Sequence, residues 1–168
     1  MRYYFFSLIF FLAACGNSVT MPQASIPIAV EAVPTISPDN SQLAAAQRNY
    51  NTLCAHCHGY GGDGQPLETA ERTETLGYHT VPLHNSAGHT WQHPDQLLFE
   101  TIKYGVESPI NLYTMTPFGD LLSDDEIFAI IDYLRLWWTD DQQTWQEQLT
   151  TQFAENNPYW SESPVDEE

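Results

Sequence analysis

The sequence predicts an all-α domain, because three stretches of the chain carry helical patterns with recognisable ends. Residues 41–53 are rich in Ala and contain neither Pro nor Gly. Residues 93–95 read His-Pro-Asp, a typical helix start, and Gly105 is a typical stop. Residues 123–126 form a capping-box sequence, after which apolar residues recur at helical spacing as far as Trp138.

The composition limits the kinds of partner that the chain can bind. Its 168 residues include 22 acidic and 5 basic side chains, which gives a formal net charge of −17. Nucleic-acid phosphates and anionic lipids are bound by clustered Lys and Arg, so this balance argues against both. Electrostatic steering instead favours partner proteins that carry basic docking surfaces.

The first 14 residues have the layout of an export signal: one positive charge, a short apolar run and then small residues. The apolar run is too short to span a bilayer, which takes about 20 residues. Residues 12–15 resemble a bacterial lipobox, which implies cleavage before Cys15 and a lipid on its sulfur. We therefore expect an exported protein, anchored by lipid at the extracytoplasmic face of a bacterial membrane. The alternative is a buried core segment or a short membrane anchor.

The chain divides into four parts by composition. Residues 1–14 are the signal peptide, and residues 15–40 combine the lipidated cysteine with a linker that contains four prolines and no base. Residues 41–139 hold the strong helical patterns. Residues 140–168 form an acidic extension with 8 acids and no base.

The acidic extension contains one further helical pattern. Trp145, Leu149 and Phe153 recur at every fourth residue, which predicts a helix over residues 140–155. This apolar stripe fits two interpretations. It packs against the preceding domain, or it docks onto another subunit of a larger complex.

The chemistry of the domain is concentrated in residues 54–58, which read Cys-Ala-His-Cys-His. A Cys-x-x-Cys-His run is the attachment sequence of c-type haem. Its two thiols can reach the two vinyl groups on one side of a porphyrin, and the adjacent His58 supplies an imidazole to the iron. The alternatives are a disulfide between Cys54 and Cys57, a thioredoxin-like redox pair and a zinc site. The redox pair lacks a βαβ pattern here, and zinc would require a further pair of ligands.

Residues 41–139 resemble a class I, monohaem cytochrome c domain of the bacterial type. Four features carry the resemblance: Ala46 and Tyr50 before Cys54, the glycine-rich residues 59–67, residues 115–119 (Met-Thr-Pro-Phe-Gly) and residues 131–135 (Ile-Asp-Tyr-Leu-Arg). The chain departs from the family pattern in two places. Ala46 stands where Gly is usual, and Thr116 separates the methionine from its proline. In this family Tyr133 and Leu134 would meet the first helix.

The resemblance implies a class I cytochrome c fold whose helices pack around one covalently attached haem c. Cys54 and Cys57 would carry the thioether bonds. His58 would be one axial ligand of the iron, and Met115, which lies 57 residues later, would be the other. The carbonyl of Pro66 would accept a hydrogen bond from His58 and orient its ring.

Other residues compete for the iron. Met21 is the remaining methionine after the signal peptide, but it lies in the linker. Four histidines between the haem motif and the next helix would make a bis-histidine haem: His79, His84, His89 and His93. The two that flank Trp91 are the strongest of these candidates. His56 lies between the cysteines and is expected at the surface.

Two protein ligands leave no open position on the iron. This favours outer-sphere electron transfer, so we expect an electron carrier without a small-molecule substrate, not an enzyme. Its partners would be redox proteins of a respiratory or photosynthetic chain. Two alternatives remain: a haem c subunit of a larger oxidoreductase complex, and a haem sensor in which a small ligand displaces Met115.

Overall fold

The computed structural model describes residues 34, 36, 40–109 and 114–157. The predicted signal peptide, the predicted lipidation site at Cys15, Met21 and most of the predicted linker lie outside the described residues, as does the end of the chain from 158 to 168. Within the described ranges no helix has both the length and the apolar character needed to cross a membrane.

The described residues form six α-helices and one short 3-10 turn. The helices are α1 (Ser41–Leu53), α2 (Ala55–His58), α3 (Leu67–Thr75), α4 (Asp95–Tyr104), α5 (Asp124–Arg135) and α6 (Asp140–Asn156), and the turn is Thr90–Gln92. Extended backbone pairs in an antiparallel bridge between Val106 and Met115, and no named strand lies within the described ranges. The predicted all-α fold is confirmed.

Most helices begin or end at residues whose type favours a helix end. Asn40 caps α1 by accepting a hydrogen bond from the backbone of Leu43. The predicted capping box at Ser123 is present and begins α5. Gly105 ends α4 with a φ of 74°, a conformation that suits glycine. A second capping box at Thr139, which the sequence analysis missed, begins α6.

The core is built where α1 crosses α5. The rings of Tyr50 and Tyr133 are 5.6 Å apart, and Trp137 packs edge-on against both at 5.2 and 4.8 Å. Ala46 is buried in the same cluster and leaves room for this crossing. The predicted contact of Tyr133 with α1 is confirmed, and Leu134 is buried beside it. Because α1 leads directly into the haem motif, this crossing fixes the position of the motif.

One helix was not expected. The sequence shows little periodicity between residues 59 and 92, yet Leu67–Thr75 forms α3. Among the side chains described in α3 only Thr73 is buried. A helix that lies on the surface does not need an apolar stripe, so it leaves no periodic signal in the sequence.

The acidic extension packs on its own domain through polar groups. Gln146 is fully buried on α6, where its amide nitrogen donates to Asp95 and contacts the His93 carbonyl at 3.3 Å. Its oxygen accepts from the Nε of Arg135 at 3.2 Å. Arg135 also forms an ion pair with Asp95, which joins α4, α5 and α6.

The predicted helix in the extension is therefore confirmed. The polar contacts of Gln146, and not the apolar stripe, are its main contact with the domain. Trp145 is 55% exposed, while Leu149 and Phe153 are half-buried. The helix contacts the Thr90–Gln92 turn and α4. A buried amide with several partners needs defined geometry, so this contact is more specific than an apolar stripe would be.

We predict that Gln146→Ala lowers the free energy of unfolding of the haem-loaded protein by about 2–3 kcal/mol, because it leaves buried partners without their hydrogen bonds. Gln148→Ala, an exposed glutamine on the same helix, is the matched control and should change little. Urea unfolding of both variants measures the difference. Equal stabilities for the two variants would contradict this account of how α6 is held.

Candidate haem-binding site

The two motif cysteines lie one helical turn apart. The carbonyl of Cys54 accepts hydrogen bonds from the backbone of Cys57 at 3.1 Å and of His58 at 3.0 Å. Residues three apart on a helical turn share a face, so both thiols lie on the same side. Both cysteines are free thiols; Cys54 is half-buried and Cys57 is exposed. His56 lies at the surface, as predicted.

The protonation of Cys54 bears on the alternatives. Burial, followed by the neighbouring Cys57, raises the pKa of the Cys54 thiol to about 12. A reactive disulfide-exchange pair uses the thiolate, which this environment disfavours. The part of the chain that the structure describes also lacks any cluster of three His, Cys, Asp or Glu side chains placed to hold a metal ion. These observations favour thioether attachment.

His58 is buried, and its Nδ1 lies 3.0 Å from the carbonyl oxygen of Pro82. The carbonyl can only accept, so Nδ1 carries the hydrogen and Nε2 keeps a lone pair. Burial lowers the pKa of His58, and the bond to Pro82 acts in the opposite direction. The result is a neutral imidazole with its Nε2 available to a metal.

The acceptor of this bond corrects the prediction of Pro66, which was wrong. The carbonyl of Pro66 accepts backbone hydrogen bonds from Thr69 at 2.9 Å and Ala70 at 3.1 Å, and so begins α3. The sequence favoured the proline nearer to His58. Because α3 lies between the two prolines, the chain returns to the motif only at Pro82. The sequence did not predict α3, so it could not predict Pro82 as the acceptor.

A tight glycine turn leads the chain away from the motif. Gly59 has a φ of 79°, and a Cβ there would lie 2.0 Å from Oδ1 of Asp63. The hydroxyl of Tyr50 donates to the Gly59 carbonyl at 2.9 Å, which links the turn to the α1/α5 crossing. Gly64 then donates to the carbonyl of His58 at 2.8 Å and closes the turn. The predicted glycine-rich turn is therefore confirmed.

Of the four competing histidines, one lies against His58. The rings of His58 and His84 are stacked, with centroids 4.1 Å apart and planes at 22°. A second axial ligand approaches the iron from the side opposite the first, so its ring lies end to end with the first and not face to face. His84 is thus not placed to be that ligand. Burial, followed by His58 and His89, holds its pKa well below the usual value.

The other three histidines lie towards the surface. His79 and His89 line an open cavity of about 520 Å³ that also includes Pro82. The ring of His93 contacts that of His89, at 5.5 Å between centroids. None of these three rings is stacked on His58, whereas the ring of His84 is.

Met115 lies on a segment that is bonded to the end of α4. It exchanges two backbone hydrogen bonds of 3.0 Å with Val106, and its side chain packs partly buried against the core. Three residues further along, the backbone of Phe118 donates to the carbonyl of Ile102 at 3.0 Å. Residues 110–113, just before this segment, lie outside the described residues. The inserted Thr116 therefore does not prevent a defined backbone position for Met115.

The donor groups fit a c-type haem. They comprise two free thiols on one turn, a neutral buried imidazole with its Nε2 unprotonated, and a thioether on a fixed segment. Soft sulfur and imidazole are the donors that low-spin haem iron takes in cytochromes. Sequence reasoning missed the role of Pro82, for which the only signal was a second proline in the same segment. It named His84 only as a competing ligand and did not foresee its contact with His58.

We predict that Gly105→Ala displaces the Met115 segment. A Cβ at Gly105 would lie 2.4 Å from the carbonyl oxygen of Met115 and 2.8 Å from the nitrogen of Pro117. The matched control is Gly77→Ala, which has a similar φ of 79° with nothing within 4 Å. We expect the control to cost about 1 kcal/mol of unfolding free energy for its backbone conformation alone.

Gly105→Ala should cost about 1–3 kcal/mol more than the control, because crowding adds to the backbone term. Chemical unfolding of both haem-loaded variants measures the difference. If the two substitutions proved equally costly, Gly105 would not be holding the Met115 segment close to α4.

Comparison with known proteins identifies the family of the domain. Residues 41–134 match the family described as Cytochrome C oxidase, cbb3-type, subunit III. No curated protein and no solved structure matches the chain. The match covers more than half of the chain, from the first residue of α1 to the last residue but one of α5, and includes the whole haem motif and Met115. The chain therefore belongs to this family, and its domain is a c-type cytochrome with an all-α cytochrome c fold that binds haem c for electron transfer.

Proposed function

We propose that the protein is a membrane-tethered monohaem electron carrier whose haem iron is ligated by His58 and Met115. The observation that carries the proposal is the state of His58, which is buried and neutral with Nδ1 engaged by Pro82 and Nε2 left free. It directly follows two free thiols on one helical turn. The sequence contains one Cys-x-x-Cys-His run, which supports one haem per chain.

When bound, haem c supplies one-electron exchange between ferrous and ferric iron. Cys54 and Cys57 would anchor the group, and the bond to Pro82 would hold the Nδ1 end of the His58 ring and increase its basicity. Met115 raises the reduction potential relative to a second histidine. With both axial positions filled by protein, no substrate reaches the iron, which is why we propose a carrier and not an enzyme.

The tether rests on the start of the sequence. The signal-like residues 1–14 and the lipobox-like residues that end at Cys15 support export and attachment of lipid. The linker that follows spans up to about 80 Å when fully extended. The haem domain would therefore reach partners at some distance above the extracytoplasmic face of the membrane.

The charge of the domain supports partners with basic docking surfaces. Asp140, Asp141 and Glu147 are exposed on α6, and the sequence contains no base after Arg135. Such a surface attracts a positively charged partner and speeds their encounter at low salt.

A second candidate function is that of a fixed haem c subunit in a larger oxidoreductase complex. The family description, which names an oxidase subunit, favours it, as does the 55% exposure of Trp145 on α6. Sedimentation of the detergent-solubilised protein separates the two functions. A carrier sediments with the mass of one chain, whereas a fixed subunit remains in a complex.

The ligand assignment is tested with Met115→Ala. We expect wild-type protein to carry the mass of one haem and to bind carbon monoxide slowly when reduced, because both axial positions are filled. Met115→Ala should bind carbon monoxide promptly and show a lower reduction potential. Met21→Ala, which removes the other methionine outside the signal peptide, is the matched control and should behave as wild type.

Two results would contradict the assignment. Prompt binding of carbon monoxide by the wild-type protein would indicate an open or displaceable position, as in a haem sensor. A Met115→Ala protein that retains the wild-type potential would indicate that a different residue completes the coordination.

A further inference from the structure

We propose that His84 is a positioning residue that fixes the ring plane of the iron ligand His58 through face-to-face contact. The rings lie 4.1 Å apart with an angle of 22° between their planes. The inference rests on the proposed function, since it takes His58 to be an axial ligand. It adds a role for a histidine that neither the motif nor the family match identifies.

A hydrogen bond alone does not determine the orientation of His58. The bond from Nδ1 to Pro82 holds one end of the ring, and a ligand bond at Nε2 would hold the other. Two such contacts leave the ring able to rock about the line that joins them, limited only by the torsion of its side chain. A flat surface against one face opposes this motion. His84 provides that surface.

The backbone of His84 is held at both of its polar groups. Its N–H donates to the carbonyl of Gly62 at 2.7 Å, within the glycine turn that follows the haem motif. Its carbonyl accepts from the indole Nε1 of Trp138 at 2.8 Å. Trp138 is itself buried in the core just beyond α5. The residue is thus anchored to the rigid part of the domain.

The ring of His84 is held separately. Its Nδ1 lies 2.9 Å from the hydroxyl oxygen of Thr90, and that hydroxyl donates to the carbonyl of Leu83 at 3.0 Å. Since the hydroxyl hydrogen is used by Leu83, the oxygen accepts from Nδ1–H of His84. Thr90 is buried, so this bond is protected from competing water.

The contact with Tyr50 supports the ring of His84 from the core. The ring of Tyr50 meets it nearly edge-on, with centroids 6.2 Å apart at 68°. Tyr50 is almost fully buried at the α1/α5 crossing. A continuous series of ring contacts therefore runs from the buried helix crossing through His84 to His58, so the ligand plane is linked to the core of the domain.

Three variants separate the face contact from other roles of His84. His84→Ala removes the ring, whereas His84→Phe keeps a flat ring but cannot bond to Thr90. Thr90→Val keeps both imidazoles and removes the hydrogen bond that holds His84. His79→Ala is the control, because His79 is an exposed histidine in the same segment of the chain. Haem content and the mass of each purified haem-loaded protein are measured first.

The readouts are the electron paramagnetic resonance spectrum of the ferric protein and its reduction potential. The plane of an axial imidazole influences the anisotropy of low-spin ferric iron, so a rocking ring broadens the low-field signal. We expect His84→Ala to broaden this signal and to shift the reduction potential away from the wild-type value. His84→Phe should restore the narrow signal, and Thr90→Val should broaden it less than His84→Ala.

Two outcomes would overturn the proposal: a His84→Ala spectrum identical to wild type, or a His84→Phe spectrum as broad as that of His84→Ala. If His84→Ala does not fold, His84→Phe decides the matter, because a wild-type spectrum supports the face contact and a broadened one refutes it. Failure of the proposed function is distinguishable, since wild-type protein itself would then lack the low-spin signal of a histidine-ligated haem.

Discussion

The hydrogen bond between Nδ1 of His58 and the carbonyl of Pro82 is the constraint on which the site depends. It joins residues 24 positions apart, so it closes the segment that contains the glycine turn and α3. It also decides which ring nitrogen remains free. Without it, a buried imidazole would have no partner for Nδ1, and the ring could present either nitrogen to a metal. One contact thus determines both the path of the loop and the chemistry of the ligand.

Two kinds of packing hold this arrangement in place. The apolar crossing of α1 and α5, centred on Tyr50 and Tyr133, positions the helix that leads into the motif. The polar contact around Gln146 instead holds the acidic extension on α4 and α5. The described part of the extension carries Asp140, Asp141, Glu147 and Glu155, and this contact holds the helix on which these four carboxylates lie. Docking of a basic partner would therefore meet an ordered acidic surface along α6.

Local signals in the sequence were enough to identify the haem motif and most helices. The capping box at Ser123 and the stop at Gly105 involve residues close in the chain, so sequence patterns record them directly. The role of Pro82 depends on α3, a surface helix whose polar composition leaves no periodic signal. The stacking of His84 on His58 depends in turn on that loop. The long-range contact of Tyr133 with α1 was predicted only through the family resemblance, whereas the contacts of His58 with Pro82 and His84 were not predicted.

The near-infrared spectrum of the ferric protein tests the central claim most directly, because a methionine sulfur bound to ferric haem gives a charge-transfer band there that a second histidine does not. The account predicts this band in the wild-type protein, with one haem c bound per chain, and its absence from Met115→Ala. A wild-type protein without the band would contradict ligation by Met115. Persistence of the band in Met115→Ala would contradict it equally.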